Sequence, residues 1–352
     1  MFIGQRKTMK YITFTIPCYN SQDYMRHIID NLVAVGEDIE VIIVNDGSKD
    51  DTGQIADEYE KKYPTIVKAI QKENGGHGSG VMAGIHNATG MFFKVVDSDD
   101  WVETKDVIDM LNLIKKHIEE KQEVDLYITN YVYEHAADNT QFEMHYRKCL
   151  PTEKVITWKD MSRVKLTTIF LMHSLMYRLD KLKESKMELP SHTFYVDDIY
   201  AYVPLPYMKT IFYHDLDFYH YFIGRSDQSI NYGTMCKRYE QQMRVFEIMF
   251  KAYSYDEINK QPKELKKYMW KWLMTICSIT FMTIVGTKED KETRWKAFKE
   301  YFEGLKKYDK KTYNKIRHRT LATFAFSLPG YNLKSFASRK VYGTIQKKMK
   351  LG

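Results

Sequence analysis

The most informative part of the chain is Phe92-Phe93-Lys94-Val95-Val96-Asp97-Ser98-Asp99-Asp100-Trp101, an apolar run that ends in three carboxylates within four residues. An apolar, β-branched and aromatic run of this length is typical of a buried strand, so the acidic residues lie at a strand end. Like charges this close raise one another's pKa unless a cation is shared among them. The stretch therefore predicts a site for Mg²⁺ or Mn²⁺, which prefer oxygen ligands. The alternative is a solvated acidic turn that caps the following helix.

Three strand-like segments precede this stretch, and helical patterns separate them. They cover residues 11–16, 39–44 and 66–70. We expect Pro17 to end the first strand, and Asn20 or Ser21 to cap the helix that follows. Such alternation predicts an α/β fold in which a mostly parallel sheet has helices on both faces and ligands collect at the carboxyl ends of the strands.

Charge divides the chain unevenly. Residues 235–352 carry 27 Lys and Arg against 11 Asp and Glu, net +16, whereas residues 1–234 carry 26 against 35, net −9. A chain of 352 residues exceeds the usual size of one core. We therefore expect a domain over residues 1–234 and a basic helical region over residues 235–352. A basic region of this kind is typical of proteins that meet anionic phospholipid or nucleic acid.

Cysteine spacing and hydropathy indicate the compartment. Cys18, Cys149, Cys236 and Cys277 show no paired spacing, which argues against a disulfide framework or a zinc cluster and for a reducing, cytoplasmic environment. We find no signal-like segment and no uncharged apolar run of the ~18–20 residues that span a bilayer. Residues 272–285 are apolar but shorter, and we expect a buried helix there rather than one at the membrane interface.

Polar residues also follow the earlier strands. Tyr19 offers a ring on which a planar base could stack, although an ordinary rim aromatic fits equally well. Asp46 could accept the N3–H of uracil, or it could form an Asx-turn before Gly47. Asn74-Gly75-Gly76 opens a helix whose free N–H groups could face a diphosphate. This turn fits neither the P-loop nor the G-x-G-x-x-G fingerprint.

Together these residues resemble glycosyltransferase family 2, a group of GT-A-fold enzymes that move a sugar from a nucleotide diphosphate to an acceptor. Four segments in the family's order carry the resemblance: Ile16-Pro17-Cys18-Tyr19-Asn20, Val41-Ile42-Ile43-Val44-Asn45-Asp46-Gly47-Ser48 with Asp51-Thr52, Asn74-Gly75-Gly76, and Val96-Asp97-Ser98-Asp99-Asp100. The resemblance implies a GT-A-like, Rossmann-type sheet in which residues 1–101 bind the nucleotide sugar and residues 102–234 face the acceptor.

The resemblance also implies roles for single residues. Asp99 would bind the cation, Asp97 would lie beside the ribose and the metal, and Asp100 would lie near the donor sugar. Further donor contacts would come from Pro17, Tyr19, Asp46, Asn74, Gly75, Gly76 and Ser98. One departure concerns Gly84-Ile85-His86-Asn87, which stands where we expect the family's arginine. The phosphate contact of that segment is therefore in question, and His77 or Lys72 is the alternative.

Two acidic residues, Asp197 and Asp198, come at a predicted helix start. The helix dipole alone can explain acids at this position. The resemblance instead implies that the second acid is the catalytic base, which makes Asp198 the first candidate and Asp197 the second.

Residues further along supply four more candidates. Arg225 and Ser229 match a family segment that closes over the diphosphate, although a surface salt bridge is the alternative for Arg225. His214 or His220 could complete the metal site, as a histidine near this point does in some relatives, but lone histidines are more often structural.

The resemblance implies an inverting, metal-dependent transferase that uses a UDP-sugar or dTDP-sugar and Mn²⁺ or Mg²⁺. Its acceptor would be a saccharide or lipid-linked precursor of cell wall, capsule or another surface glycan. The basic tail implies peripheral contact with the inner face of the cell membrane; no motif supports nucleic-acid binding, and a homo-oligomer stays open. The alternative is a non-catalytic nucleotide-sugar-binding or scaffolding subunit of a glycan-biosynthetic complex.

Overall fold

The computed structural model describes residues 9–135, 140–162, 169–223, 232–287, 289–317 and 328–349. The chain divides into two compact units. The first consists of Met1–Ser162 and Phe170–Ser226, and the second of Arg163–Ile169 and Asp227–Gly352.

The described part of the first unit holds nine strands in a single sheet. The strands are β1 (Ile12–Cys18), β2 (Ile39–Asp46), β3 (Val67–Lys72), β4 (Phe92–Val95), β5 (Leu126–His135), β6 (Thr140–Met144), β7 (Val155–Thr157), β8 (Leu175–Arg178) and β9 (Thr210–Ile223). The helices are α1 (Met25–Val33), α2 (Thr52–Lys62), α3 (His77–Asn87), α4 (Thr104–Glu119), α5 (Leu179–Glu184) and α6 (Asp197–Tyr202). Short 3₁₀ helices cover Trp158–Asp160, Met172–Ser174 and Leu205–Tyr207.

The strand order is β3-β2-β1-β4-β8-β5-β9-β7, with β6 paired to β5. Strands β1 to β4 are parallel to one another, as their alternation with helices predicts. Strand β8 is antiparallel to both β4 and β5, so the sheet as a whole is mixed. The predicted α/β fold with a helix-flanked central sheet is confirmed, and the antiparallel strand brings the start of β8 beside the end of β4.

Two local predictions near the first strand are wrong. Strand β1 continues through Pro17 to Cys18. Proline is tolerated there because β4 pairs with β1 only as far as Thr15, which leaves one side of β1 free of ladder hydrogen bonds. Helix α1 is preceded by Tyr24 and not by Asn20 or Ser21. Asn20 instead adopts a left-handed backbone (φ 50°) and accepts a hydrogen bond from the Lys49 N–H at 2.9 Å.

Strand β9 is a single strand of 14 residues. Its register with β5 shifts on both sides of Asn130. The side-chain amide of Asn130 donates to Asp215 and Asp217 at 2.9 and 3.0 Å, which accommodates the irregularity without ending the strand.

The described part of the second unit is helical, which confirms the predicted helical C-terminal region. Its helices are α7 (Tyr232–Lys237), α8 (Tyr239–Ala252), α9 (Tyr255–Lys260), α10 (Lys263–Val285), α11 (Lys291–Tyr308), α12 (Lys310–Arg317) and α13 (Gly330–Met349). Helix α10 is long and apolar enough to cross a membrane by length and composition alone. Most of it is buried, and core helices of globular proteins pass the same test, so this is weak support for a span.

Candidate functional site

The acidic stretch after β4 lies at the carboxyl edge of the parallel strands, and Asp100 is its most buried member. Asp100 is 2% exposed. The Tyr219 hydroxyl donates to its Oδ2 at 2.5 Å, and the Phe222 N–H donates to its Oδ1 at 2.8 Å. Burial, together with the charges of Asp97 and Asp99, raises the pKa of Asp100 well above its ordinary value. Asp100 therefore ties the end of β4 to β9.

Asp97 is paired with His77 at the start of α3. The Nε2 atom of His77 lies 2.7 Å from Oδ1 of Asp97. Burial alone would raise the pKa of Asp97, but the charge and hydrogen bond of His77, helped by His173 and Lys94, hold it below its ordinary value. Burial would likewise lower the pKa of His77, yet Asp97 keeps it above its ordinary value. The two side chains form an ion pair at the site.

His173, which the sequence reasoning missed, lies beside these carboxylates. Asp97, Asp100 and His173 offer ligand atoms that all lie within 4.8 Å of one another. His173 is 6% exposed and stacks on Tyr221 with ring centroids 4.4 Å apart. Its Nδ1 has no hydrogen-bond partner within the described residues. Burial lowers the pKa of His173 to about 4, so the ring is neutral and able to donate a lone pair. Two carboxylates and a neutral imidazole fit a divalent cation such as Mn²⁺.

The topology of the sheet explains why the sequence alone does not indicate His173 as a site residue. It lies in the 3₁₀ helix Met172–Ser174, directly before β8. Because β8 is antiparallel to β4, the amino end of β8 meets the carboxyl end of β4. His173 precedes an antiparallel strand, so it is not among the polar residues that follow the parallel strands. The only sequence signal was a histidine adjoining an apolar strand-like run.

The predicted ligands are distributed as follows. Asp97 belongs to the three-residue group, and Asp99 lies close enough for its charge to act on Asp100 and His77. His214 and His220 lie outside that group. Their Nδ1 atoms lie 2.8 Å from Glu153 and 2.7 Å from Glu134, respectively. The role of Asp99 as cation ligand stays a prediction.

Asp46 at the end of β2 holds the glycine turn. It is 3% exposed, and its carboxylate accepts hydrogen bonds from the Gly75 N–H at 2.9 Å, from the Gly76 N–H at 2.6 Å and from Lys72. The Asx-type contact in the preceding turn is made by Asn45, whose Oδ1 accepts from the Ser48 N–H at 3.0 Å. The predicted contact between Asp46 and uracil stays a prediction.

The other predicted donor contacts surround this turn. Asn74 donates its side-chain amide to the Asp46 carbonyl at 2.8 Å. Gly47 has a φ of 70°, and a Cβ there would lie 2.7 Å from the Asn74 nitrogen, so the two turns touch. Tyr19 is 51% exposed at the rim, and Ser98 contacts Ser21 through their hydroxyls at 2.8 Å. Pro17 packs against α3, where a Cβ on Gly80 would lie 3.1 Å from it.

Basic groups near the start of α3 are already paired. Lys72 binds Asp46 and the Glu73 carbonyl, and His77 binds Asp97. His86 is exposed in the last turn of α3, nine residues from its start or about 13 Å along the axis. His86 is thus placed at the opposite end of the helix from the glycine turn.

The second acidic pair begins α6. Burial raises the pKa of Asp197, and its charge acts on His77, which places it in the same electrostatic environment as Asp97. The N–H of Asp198 lies 3.3 Å from the Tyr195 carbonyl. The loop before α6 is bound to the glycine turn, since the His192 N–H donates to the Gly75 carbonyl at 2.6 Å. Arg225 and Ser229 lie outside the described residues.

Residues 13–169 match the model of a protein family described as glycosyl transferase family 2. Residues 13–169 are a glycosyltransferase family 2 domain. The chain is 28% identical over 190 residues to glycosyltransferase GlyA of Streptococcus pneumoniae, covering 49% of this chain and 26% of GlyA. It is 33% identical over 114 residues to the minor teichoic acid biosynthesis protein GgaB of Bacillus subtilis, covering 32% of this chain and 12% of GgaB.

A solved structure extends the likeness beyond the matched region. Residues 1–349 of TarS from S. aureus, crystallised with UDP-GlcNAc, align with 97% of this chain and 92% of theirs at a TM-score of 0.66 and 18% identity. At that identity the likeness concerns the fold. The chain spans about a third or less of the length of the first curated relatives it matches.

Proposed function

We propose that the chain is an inverting, metal-dependent glycosyltransferase that moves a sugar from a UDP-sugar to a hydroxyl group of a surface-glycan precursor. One observation carries the proposal: the charge of Asp97, after β4, acts on Asp197, about 100 residues further along the chain, and both carboxylates act on His77. Family membership supports the chemistry, and the teichoic acid protein GgaB supports the class of product.

The donor would lie along the carboxyl ends of β1, β2 and β4. Exposed Tyr19 offers a stacking surface for the base, and the start of α3 offers N–H groups and a positive dipole end to a diphosphate. The TarS structure that shares this fold holds UDP-GlcNAc, which favours a UDP-sugar over a dTDP-sugar. Arg225 and Ser229 remain candidates for closing over the diphosphate.

A divalent ion held by Asp97 and Asp99, with Asp100 and His173 beside them, would neutralise the charge of the departing diphosphate. Mn²⁺ and Mg²⁺ both suit this donor set. His77 holds one oxygen of Asp97 and so orients that carboxylate.

The acceptor hydroxyl must lose its proton as it attacks the anomeric carbon. Asp198 is the proposed base and Asp197 the second candidate, both from the first turn of α6. Burial raises the pKa of Asp197, a property that suits proton transfer near neutral pH. A single displacement with one base inverts the anomeric configuration.

The setting of the reaction is proposed from the charge of the chain. We expect the C-terminal region, net +16 over residues 235–352, to meet the anionic inner face of the cell membrane, where a lipid-linked saccharide acceptor would be reached. A cytoplasmic, peripheral location follows, and an association of several copies is compatible with it.

The test measures UDP release from a panel of UDP-sugars and dTDP-sugars with Mn²⁺ and then with EDTA. We expect release with one UDP-sugar, dependence on metal, and losses of 100-fold or more in Asp99→Ala and Asp198→Ala. Exposed Asp23→Ala serves as the matched control and should keep full activity. Nucleotide-sugar binding without release, in wild type and variants alike, would support the non-catalytic subunit instead.

A further inference from the structure

Gly78, in the first turn of α3, allows a distant part of the chain to approach this helix closely. A Cβ on Gly78 would lie 3.0 Å from the Leu189 Cβ and 3.1 Å from the Pro190 carbonyl oxygen. It would also lie 3.4 Å from Cγ1 of Val196. Contacts near 3.0 Å are closer than ordinary packing allows, so a side chain at Gly78 would push these residues away from the helix.

The same segment, residues 189–196, is joined to the turn before α3. The His192 N–H donates to the Gly75 carbonyl at 2.6 Å. Gly76 has a φ of 80°, and a Cβ there would lie 3.2 Å from the His192 nitrogen. The glycine turn that Asp46 binds therefore also carries the segment of residues 189–196.

Two residues of this segment have a left-handed backbone. His192 has a φ of 49° and Tyr195 a φ of 65°. For a bulky residue such as tyrosine this conformation is an outlier, and it persists only where the surrounding structure enforces it. The close packing against α3 is a contact that can enforce it.

The strained residue leads directly into the acid pair. The Tyr195 carbonyl accepts a hydrogen bond from the Asp198 N–H at 3.3 Å, and the Val196 carbonyl accepts one from the Ile199 N–H at 3.0 Å. Val196 is 2% exposed, so its position is fixed by packing. The direction in which α6 begins, and with it the position of both carboxylates, therefore depends on Tyr195 and Val196.

We propose that Gly78 is a positioning residue for the acid pair Asp197 and Asp198. Because Gly78 has no side chain, residues 189–196 pack on the start of α3 and hold the proposed base in place relative to the donor. Gly78 acts through this segment and touches no substrate. The inference rests on the transferase activity proposed above and does not depend on which sugar or acceptor is used.

A side chain at this position should affect turnover and leave donor binding intact. In Gly78→Ala residues 189–196 must move away from α3, and the acid pair moves with them. We expect kcat to fall by about tenfold, because a displacement of ~1 Å can lower a rate on the order of 100-fold. The backbone N–H groups of the glycine turn are kept, so the affinity for UDP should stay within about threefold of wild type.

The experiment compares two pairs of variants, each checked for folding by circular dichroism. Gly80→Ala is the matched control for Gly78→Ala, since a Cβ there would lie 3.1 Å from Pro17 and crowd the same helix on the side of β1. Val196→Ala loosens the contact with Gly78 without a clash and decides the matter if Gly78→Ala does not fold. Its matched control is Val245→Ala, a fully buried valine of α8.

Three quantities are measured for each protein. Release of UDP from the panel of UDP-sugars gives kcat, the KM for the donor and the dependence on Mn²⁺ concentration. Isothermal titration gives the affinity for UDP. Hydrogen exchange of the Asp198 and Ile199 amides, followed by NMR, reports directly on the start of α6.

We expect Gly78→Ala and Val196→Ala to lower kcat, to keep the affinity for UDP and to raise exchange of both amides by about tenfold. Gly80→Ala and Val245→Ala should leave that exchange near wild type, and any loss of activity in Gly80→Ala should appear in the KM for the donor. The dependence on Mn²⁺ concentration should not change in Gly78→Ala, since a change would indicate an effect through His77 and Asp97 instead.

Equal exchange in Gly78→Ala and Gly80→Ala would overturn the inference, as would a loss of UDP affinity in proportion to the loss of kcat. Absence of UDP release in the wild type would refute the transferase proposal alone. The exchange rates would then still decide whether Gly78 holds the acid pair in place.

Discussion

Replacing Asp46 distinguishes a structural role of this residue from a ligand-binding role. Its carboxylate is nearly inaccessible to water and accepts hydrogen bonds from the Gly75 N–H, the Gly76 N–H and Lys72. In Asp46→Asn, whichever way the amide is turned, an NH₂ group faces a backbone N–H. One charge-assisted hydrogen bond, worth about 1.5–3 kcal/mol, is lost. A buried donor is also left unpaired, which costs about 1–3 kcal/mol.

The ionic partner of Lys72 is lost as well, but the lysine is partly exposed and its contribution is discounted accordingly. We therefore expect the free energy of unfolding to fall by about 3–4 kcal/mol without any nucleotide present. Urea unfolding followed by circular dichroism measures this loss. Because two units make a single transition uncertain, hydrogen exchange of the Gly75 and Gly76 amides gives a local readout, with protection reduced by about 100-fold or more.

Exposed Asp23→Asn is the matched control and should change stability by less than about 0.5 kcal/mol. The reasoning is refuted if Asp46→Asn unfolds like wild type and loses only its affinity for UDP. That result would return Asp46 to the role of a base contact, as the family resemblance implies.

Two further predictions concern packing and buried charge. In Gly84→Ala the new Cβ would lie 2.8 Å from the Thr15 Cβ, so α3 must shift from β1. The free energy of unfolding, measured in urea, should therefore fall by about 2–3 kcal/mol. In Gly304→Ala the new Cβ meets nothing within 4 Å, and the free energy of unfolding should rise by about 1 kcal/mol. Burial and Arg317 lower the pKa of Lys334 to about 8 in the folded protein, whereas the pKa of a lysine in the unfolded chain is about 10.4. Lys334→Met removes this unfavourable buried charge, so the free energy of unfolding at pH 7 should rise on the order of 2 kcal/mol. The gain should fade between pH 8 and pH 10.4 as the unfolded state also becomes neutral, and an equal gain at pH 7 and pH 10.5 would contradict the assignment.

The elements that could be predicted from sequence are those that local patterns determine. Helices α2 and α8 are of this kind because their apolar faces and flanking residues lie within one segment. The run before Asp97 is a strand for the same reason. The parallel part of the sheet follows from the alternation of strands and helices, and with it the expectation that polar strand ends meet.

The partners of the site residues could not be predicted, because they come from distant parts of the chain. Asp100 is bound by Tyr219 and Phe222, more than 100 residues away, and His173 reaches it only because β8 runs antiparallel to β4. From the sequence alone, the three carboxylates after β4 are negative charges that only a bound cation would neutralise. In the folded chain Tyr219 and the Phe222 N–H hold Asp100, and His77 holds Asp97. Protein groups thus stabilise much of the negative charge of these carboxylates. The chemical role of such a cluster therefore depends on long-range partners that no local motif encodes.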